Sequence, residues 1–181
     1  MKNKINKKSK KNSAKTWILI VFVVSFFLSL FFSYVSTNAL QGLDIIPAIV
    51  LILIVIFMGI VFDIIGLAVN VAQEESFHAQ GTKKVKSAKT AIKLIRNAGR
   101  TSSICNDVIG DVASVLSGAM SAIVSLKITS TYGMDDSVQY IISAIVAALT
   151  IGGKAIGKGI AIKHADRIVN TVSKIISVVY R

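Results

Sequence analysis

At 181 residues, with 53% hydrophobic side chains and a mean hydropathy of +0.68, the chain is too apolar for a soluble globule and reads as an integral membrane protein. Its net charge of +12 does not point to nucleic acid, because the cations flank apolar runs and are not set among exposed aromatics; anionic lipid headgroups are the nearer partner. The single cysteine, Cys105, excludes an internal disulfide framework and a cysteine-rich metal site, and its apolar surroundings fit a small buried residue.

Residues 1–16 hold seven lysines, no acid and almost no apolar side chain, which predicts a disordered basic tail on the cytoplasmic face. From Trp17 to Val35 run 19 uncharged residues. As a helix they reach about 28 Å and span a bilayer core, with Trp17 and Tyr34 as interfacial aromatics. The first transmembrane helix is assigned to 17–37. A cleaved signal peptide is the rival reading, since Thr37 and Ala39 offer small residues before a cut. Gln41, Gly42 and Asp44 make a short outer turn, and Pro47 falls in the first turn of a second span, where its missing N–H costs little. That span, from about Ile45 to Ala72, is longer than a bilayer needs and carries Asp63 near its middle.

Residues 73–100 read as a cytoplasmic helix-turn-helix paddle. Glu74 and Glu75 lead its first helix, Gly81 breaks it, and a second helix from Thr82 sets Val85, Ala88, Ile92 and Ile95 on one stripe beside Lys86, Lys89, Lys93 and Arg96. Such a pair suits the membrane surface; a plain solvated loop is the alternative. The third span, Ser102 to about Lys127, has two rows of small residues four apart: Gly110, Ser114, Gly118, Ala122 and Ala113, Ser117, Ser121, Ser125. These rows let helix backbones approach in lipid, and they predict self-association. Thr129 to Asp136 form an outer loop, and Ser137 opens a fourth span in which Ala144, Ala148 and Gly152 recur four apart. Lys154, Lys158, Lys163, Arg167 and Lys174 follow among isoleucines and valines as a basic amphipathic C-terminal helix. With four spans and both termini inside, Lys127 alone of the 21 Lys and Arg residues lies outside, as the positive-inside rule requires. The predicted fold is therefore an all-α polytopic membrane helix bundle, multi-pass in the cell membrane, with a paddle and a basic closing helix.

An aspartate at the centre of a membrane helix costs roughly 2.5 to 3.5 kcal/mol on insertion scales, so Asp63, Asp107 and Asp111 are candidate site residues. Asp107 and Asp111 are i, i+4 on one helix face, and Asp111 can meet Asp63 at similar depth. Three readings stand together: a cation site completed by the Asn106 amide; ion pairs in which Lys154 and Lys158 neutralise the carboxylates and hold helices together; and coupling to protons or another ion. His78 and His164 have no partners at metal spacing. No nucleophile elbow or acid/base pair appears, and Gly152 to Gly159 lacks the spacing of a phosphate loop, so no enzyme is expected.

Two runs carry a family resemblance. Lys158-Gly-Ile-Ala161-Ile-Lys-His-Ala165-Asp166-Arg167-Ile168 is similar to PK-x-x-A-x-x-x-A-E-R-I, and Ala88 to Arg100 is similar to A-x-x-A-x-x-L-x-x-x-x-x-R. Both are motifs of the transmembrane domain shared by CNNM and CorB/CorC proteins, and the resemblance covers about Pro47 to Tyr180 within a domain of 45–181. It implies a homodimeric carrier for transport or efflux of Mg²⁺ or another divalent cation, with Asp63, Asn106, Asp107 and Asp111 as ligands, and no cofactor beyond that transported ion. Three departures accompany it. The family's membrane carboxylate in G-E-x-x-P-K falls on Lys154, its S-x-S-E falls on Asp63-Ile-Ile-Gly66, and its CBS pair has no counterpart up to Arg181. The alternative function is a non-transporting membrane interaction or regulatory protein whose charged membrane residues are structural.

Overall fold

A backbone in lipid must satisfy its own N–H and C=O groups, and the described residues do so by forming helices, with no strand among them. The computed structural model describes residues 2–81, 86–135 and 137–179, with backbone alone for 2–15, 79–81, 86 and 179. Lys83, Lys84 and Val85 of the expected paddle, and Asp136 of the outer loop, lie outside the described residues. The elements are α1 (Lys2–Gln41), α2 (Ile45–Val71), α3 (Glu74–Gly81), α4 (Lys86–Arg96), α5 (Ala98–Ser103), a π-helical segment (Ile104–Gly110), α6 (Asp111–Tyr132), α7 (Ser137–Lys163) and α8 (Ala165–Val179). Four stretches are long and apolar enough to cross a membrane: Thr16–Gln41, Ile45–Val71, Ala98–Tyr132 and Ser137–Lys163. The chain is thus all-helical with four candidate spans.

The basic segment expected to be disordered is helical from Lys2. No proline or glycine interrupts residues 2–41, so the helix nucleated by the apolar run propagates backward through it.

α2 is the hub, packing against α5, the π-helical segment, α6, α7 and α8, whereas α1 leans chiefly on the third span. One apolar core joins Ala48, Ile52 and Ile56 of α2 to Val112, Leu116, Met120 and Val124 of α6 and Val146 of α7, with Leu40 of α1 at its edge. A second core gathers Ala68 and Val69 at the end of α2 with Phe77, Ala91, Ala161, Ala165 and Val169. The apolar side of α4 packs on α8, with Ala88 and Ala91 buried, Ile92 and Ile95 packed against the second core, and Lys89 and Lys93 exposed. Asp166 ties this layer to the start of α3 by accepting the Gln73 N–H (3.2 Å) and the Ser76 hydroxyl (2.7 Å).

The small-residue rows divide. Ser117, Ser121 and Ser125 are buried, each donating its hydroxyl to a carbonyl three residues back, while no atom lies within 4 Å of a Cβ placed on Gly118. On α7 the expected row of Ala144, Ala148 and Gly152 faces outward. The row that packs is Val146, Thr150, Gly153, Gly157 and Ala161, because Gly153 and Gly157 admit Ile60 and Ile64 of α2.

The apolar stretch of α1, Thr16–Gln41, is held at both ends. The Arg100 guanidinium lies 5.3 Å from the Trp17 ring centroid, and at the opposite end the Lys127 ammonium donates to the carbonyls of Leu40, Gln41 (3.2 Å) and Leu43 (2.6 Å). Lys127, the one cation expected outside, therefore caps the C-terminus of α1. Lys127→Met should lower the stability of the detergent-solubilised protein by about 1.5 to 3 kcal/mol, since charge-assisted hydrogen bonds are lost at half-buried carbonyls. A thermal melt beside Lys89→Met, which should change little, checks this.

Glu74 accepts from Arg96 (2.8 Å) and from His78 (2.9 Å). The Arg96 hydrogen bond, and then that of His78, hold the Glu74 carboxyl below its ordinary range. A depressed carboxylate contributes stability that is present above its unfolded pKa and lost as pH falls through the folded one. The melting temperatures of wild type and Glu74→Gln should accordingly differ at neutral pH and converge below the usual carboxylate range.

Candidate functional site

Between the two apolar cores runs a polar seam where α2 meets the π-helical segment. Asp63 lies eight residues before Val71, or about 12 Å along the helix, and is 9% exposed. The approach is close because glycines line it. A Cβ on Gly59 would stand 3.0 Å from the Ala113 Cβ, and one on Gly110 would stand 3.9 Å from Asp63 Oδ1. Asp63 has no hydrogen-bond or ion-pair partner among the described residues.

One turn further along α2, Gly66 receives Asn106. A Cβ on Gly66 would fall 1.9 Å from Asn106 Oδ1 and 3.0 Å from the Cys105 Cβ. The Asn106 Nδ2 reaches Ser102 Oγ at 3.5 Å, and the same hydroxyl accepts from Asn70 Nδ2 at 2.7 Å. Asn106 Oδ1 is buried and accepts nothing. Asp63 and Gly66 are i, i+3 on α2, and Asn106 and Gly110 are successive inward positions of the π-helical segment, so the carboxylate and the free amide oxygen share one seam. Single-turn π-helical insertions recur at functional sites, where the widened turn redirects side chains and carbonyls.

The other expected ligands point elsewhere. Asp107 is exposed and accepts the Ser103 hydroxyl at 2.6 Å. Asp111, 69% exposed, accepts from Lys154 Nζ at 3.2 Å, and that ammonium also reaches the Gly110 carbonyl at 3.3 Å. Lys158 is exposed, with no ion pair among the described residues. Among the described residues no three His, Cys, Asp or Glu side chains gather as a metal group. The three-aspartate cluster is therefore not assembled: Asn106 and Gly110 occupy the face toward α2, which turns Asp107 and Asp111 outward. Sequence reasoning missed Asn70, Ser102 and the seating of Asn106 on Gly66. A signal was present in the polar pair Asp63 and Asn70 flanking Gly66 in an otherwise apolar span.

No family model matches the chain, and no curated protein or solved structure matches it. The CNNM/CorB/CorC resemblance rests on its motif residues alone.

Gly66→Ala should force the Asn106 amide out of its seat. The cost should fall by at least about 0.5 kcal/mol in an Asn106→Ala background, as expected for residues in contact, and a double-mutant cycle of melting curves reads that coupling.

Proposed function

We propose that this protein is a multi-pass carrier of the cell membrane that binds and moves a partly hydrated divalent cation, Mg²⁺ in the first instance, through the seam of Asp63 and Asn106. The observation that carries this reading is Asp63, nine-tenths buried as a residue and without a cationic partner among the described residues, in the same seam as an amide oxygen that accepts nothing. A lone carboxylate at membrane depth is costly, and a cation that visits it offsets the cost. Mg²⁺ commonly takes one or two carboxylates and keeps several waters. One aspartate and one amide oxygen suffice as protein ligands in that pattern, so Asp107 and Asp111 need not coordinate. Lys154 would be the obvious competitor for the site, but its ammonium is directed to Asp111 and the Gly110 carbonyl. The pair holds a tethered cation beside the seam and leaves Asp63 to the transported ion.

A second reading, a membrane interaction protein that transports nothing, is favoured by the same Lys154–Asp111 pair, which joins α6 to α7 as a structural contact. Mg²⁺ separates the two. At 100 times its dissociation constant it should stabilise the wild type by about 2.7 kcal/mol. Asp63→Asn should abolish that shift and Mg²⁺ flux in proteoliposomes, and Lys154→Ala should keep both. Equal shifts in wild type and Asp63→Asn, or no shift in any of the three, would overturn the carrier reading in favour of the structural one.

A further inference from the structure

Away from the seam, a cavity of about 460 Å³ opens where α2 ends and α7 bends into α8. Its wall changes character with depth. Val71 and Ile162, both substantially exposed, belong to the last apolar turns of two membrane spans, whereas Lys163, His164 and Arg167 stand where those spans end. Lys163 and Arg167 stand on either side of the bend and both line the cavity. All three basic side chains are exposed, and none makes a hydrogen bond or ion pair among the described residues. Asp166 also borders the cavity, but both its oxygens are occupied, by the Gln73 N–H and the Ser76 hydroxyl of the α3 start. The cavity therefore presents two cations and an imidazole beside one carboxylate whose oxygens already accept two hydrogen bonds, a net positive lining next to the apolar Val71 and Ile162.

We propose that this cavity is a headgroup site for an anionic phospholipid, whose phosphodiester is held by Lys163 and Arg167 while its glycerol and upper acyl carbons rest on Val71 and Ile162. A phosphate group is the shared chemistry, and free phosphate could in principle meet the same cations. The apolar floor and the position at the ends of two spans select the lipid, because a free anion gains nothing from Val71 and Ile162. The site is built from the joint between α2, α7 and α8, so an occupied headgroup would brace the second apolar core, in which Ala161, Ala165 and Val169 pack on the end of α2. The inference does not depend on the cation reading of Asp63.

The test uses the full chain, released from nanodiscs of defined mixtures of phosphatidylglycerol and phosphatidylcholine with identical acyl chains, and reads the retained lipid by native mass spectrometry. The wild type should retain phosphatidylglycerol preferentially. The double variant Lys163→Gln/Arg167→Gln should weaken that preference roughly tenfold or more. The charge-keeping swap Lys163→Arg/Arg167→Lys should preserve it, which separates lost recognition from lost folding. Lys89→Gln/Lys93→Gln, which removes two exposed cations of α4, should also preserve it. Equal loss in that control would show a general effect of charge and overturn the site, as would unchanged retention in Lys163→Gln/Arg167→Gln. Inorganic phosphate at millimolar concentration should not displace the lipid; displacement would assign the cations to a free anion and overturn the lipid as occupant.

Discussion

The close seating of α2 against its neighbours is the contact on which the rest of the molecule depends. Lipid offers no hydrophobic drive between apolar helices, so association rests on dispersion contacts and on polar groups that meet across the interface. Both require short distances. Gly59 meets Ala113, Gly110 lies beside Asp63, and Gly153 and Gly157 admit the side chains of Ile60 and Ile64, so α2 is gripped from two sides along its C-terminal half. Asp63 is buried as a consequence, because the backbone of the π-helical segment covers a carboxylate that a looser pairing would leave open.

That seating orders the polar groups by depth. One half of the bundle is an apolar core with buried serines turned back onto their own helix, and the other end is a second core of α3, α4 and α8 around the last turns of α2. Asp63, Asn106, Ser102 and Asn70 form the band between them. The Lys154–Asp111 pair lies on the neighbouring surface, where each charge has a partner. α1 packs chiefly on the third span and is fastened by Trp17 at the start of its apolar stretch and by Lys127 at its C-terminal end, so its hold comes largely from polar contacts and not from an extended buried face.

Much of this was legible from residue order. Four apolar runs bounded by cations and interfacial aromatics announce four spans, and an isolated Asp63 in such a run announces a buried polar site, because both follow from the large cost of polar groups in hydrocarbon. What periodicity could not supply was the choice of face. Asp107 and Asp111 do share a side of their helix, but Asn106 and Gly110, smaller and uncharged, take the inward positions that α2 can approach closely. The α7 rows misled for the same reason: Ala144, Ala148 and Gly152 suit close packing as well as Gly153 and Gly157 do, and only the neighbouring isoleucines decide between them. The π-helical turn has no compositional mark in Ile104 to Gly110, and the helical start at Lys2 reflects propagation from the span and not the propensity of a lysine-rich tail alone.

The seam can be examined directly, because Cys105 is the only native cysteine and its Cβ lies 3.0 Å from where a Cβ on Gly66 would stand. A disulfide spans about 3.5 to 4.5 Å between Cβ atoms, so a small relaxation brings the pair into range once the Asn106 amide, which a Cβ on Gly66 would meet at 1.9 Å, is removed. Mild oxidation of Gly66→Cys/Asn106→Ala in native membranes should produce a rapid intrachain crosslink to Cys105, seen as a mobility shift that reductant reverses and that is absent from Gly118→Cys, whose position is open. Failure of Gly66→Cys/Asn106→Ala to crosslink would contradict the seating of α2 on the π-helical segment, and with it the burial of Asp63 against that segment.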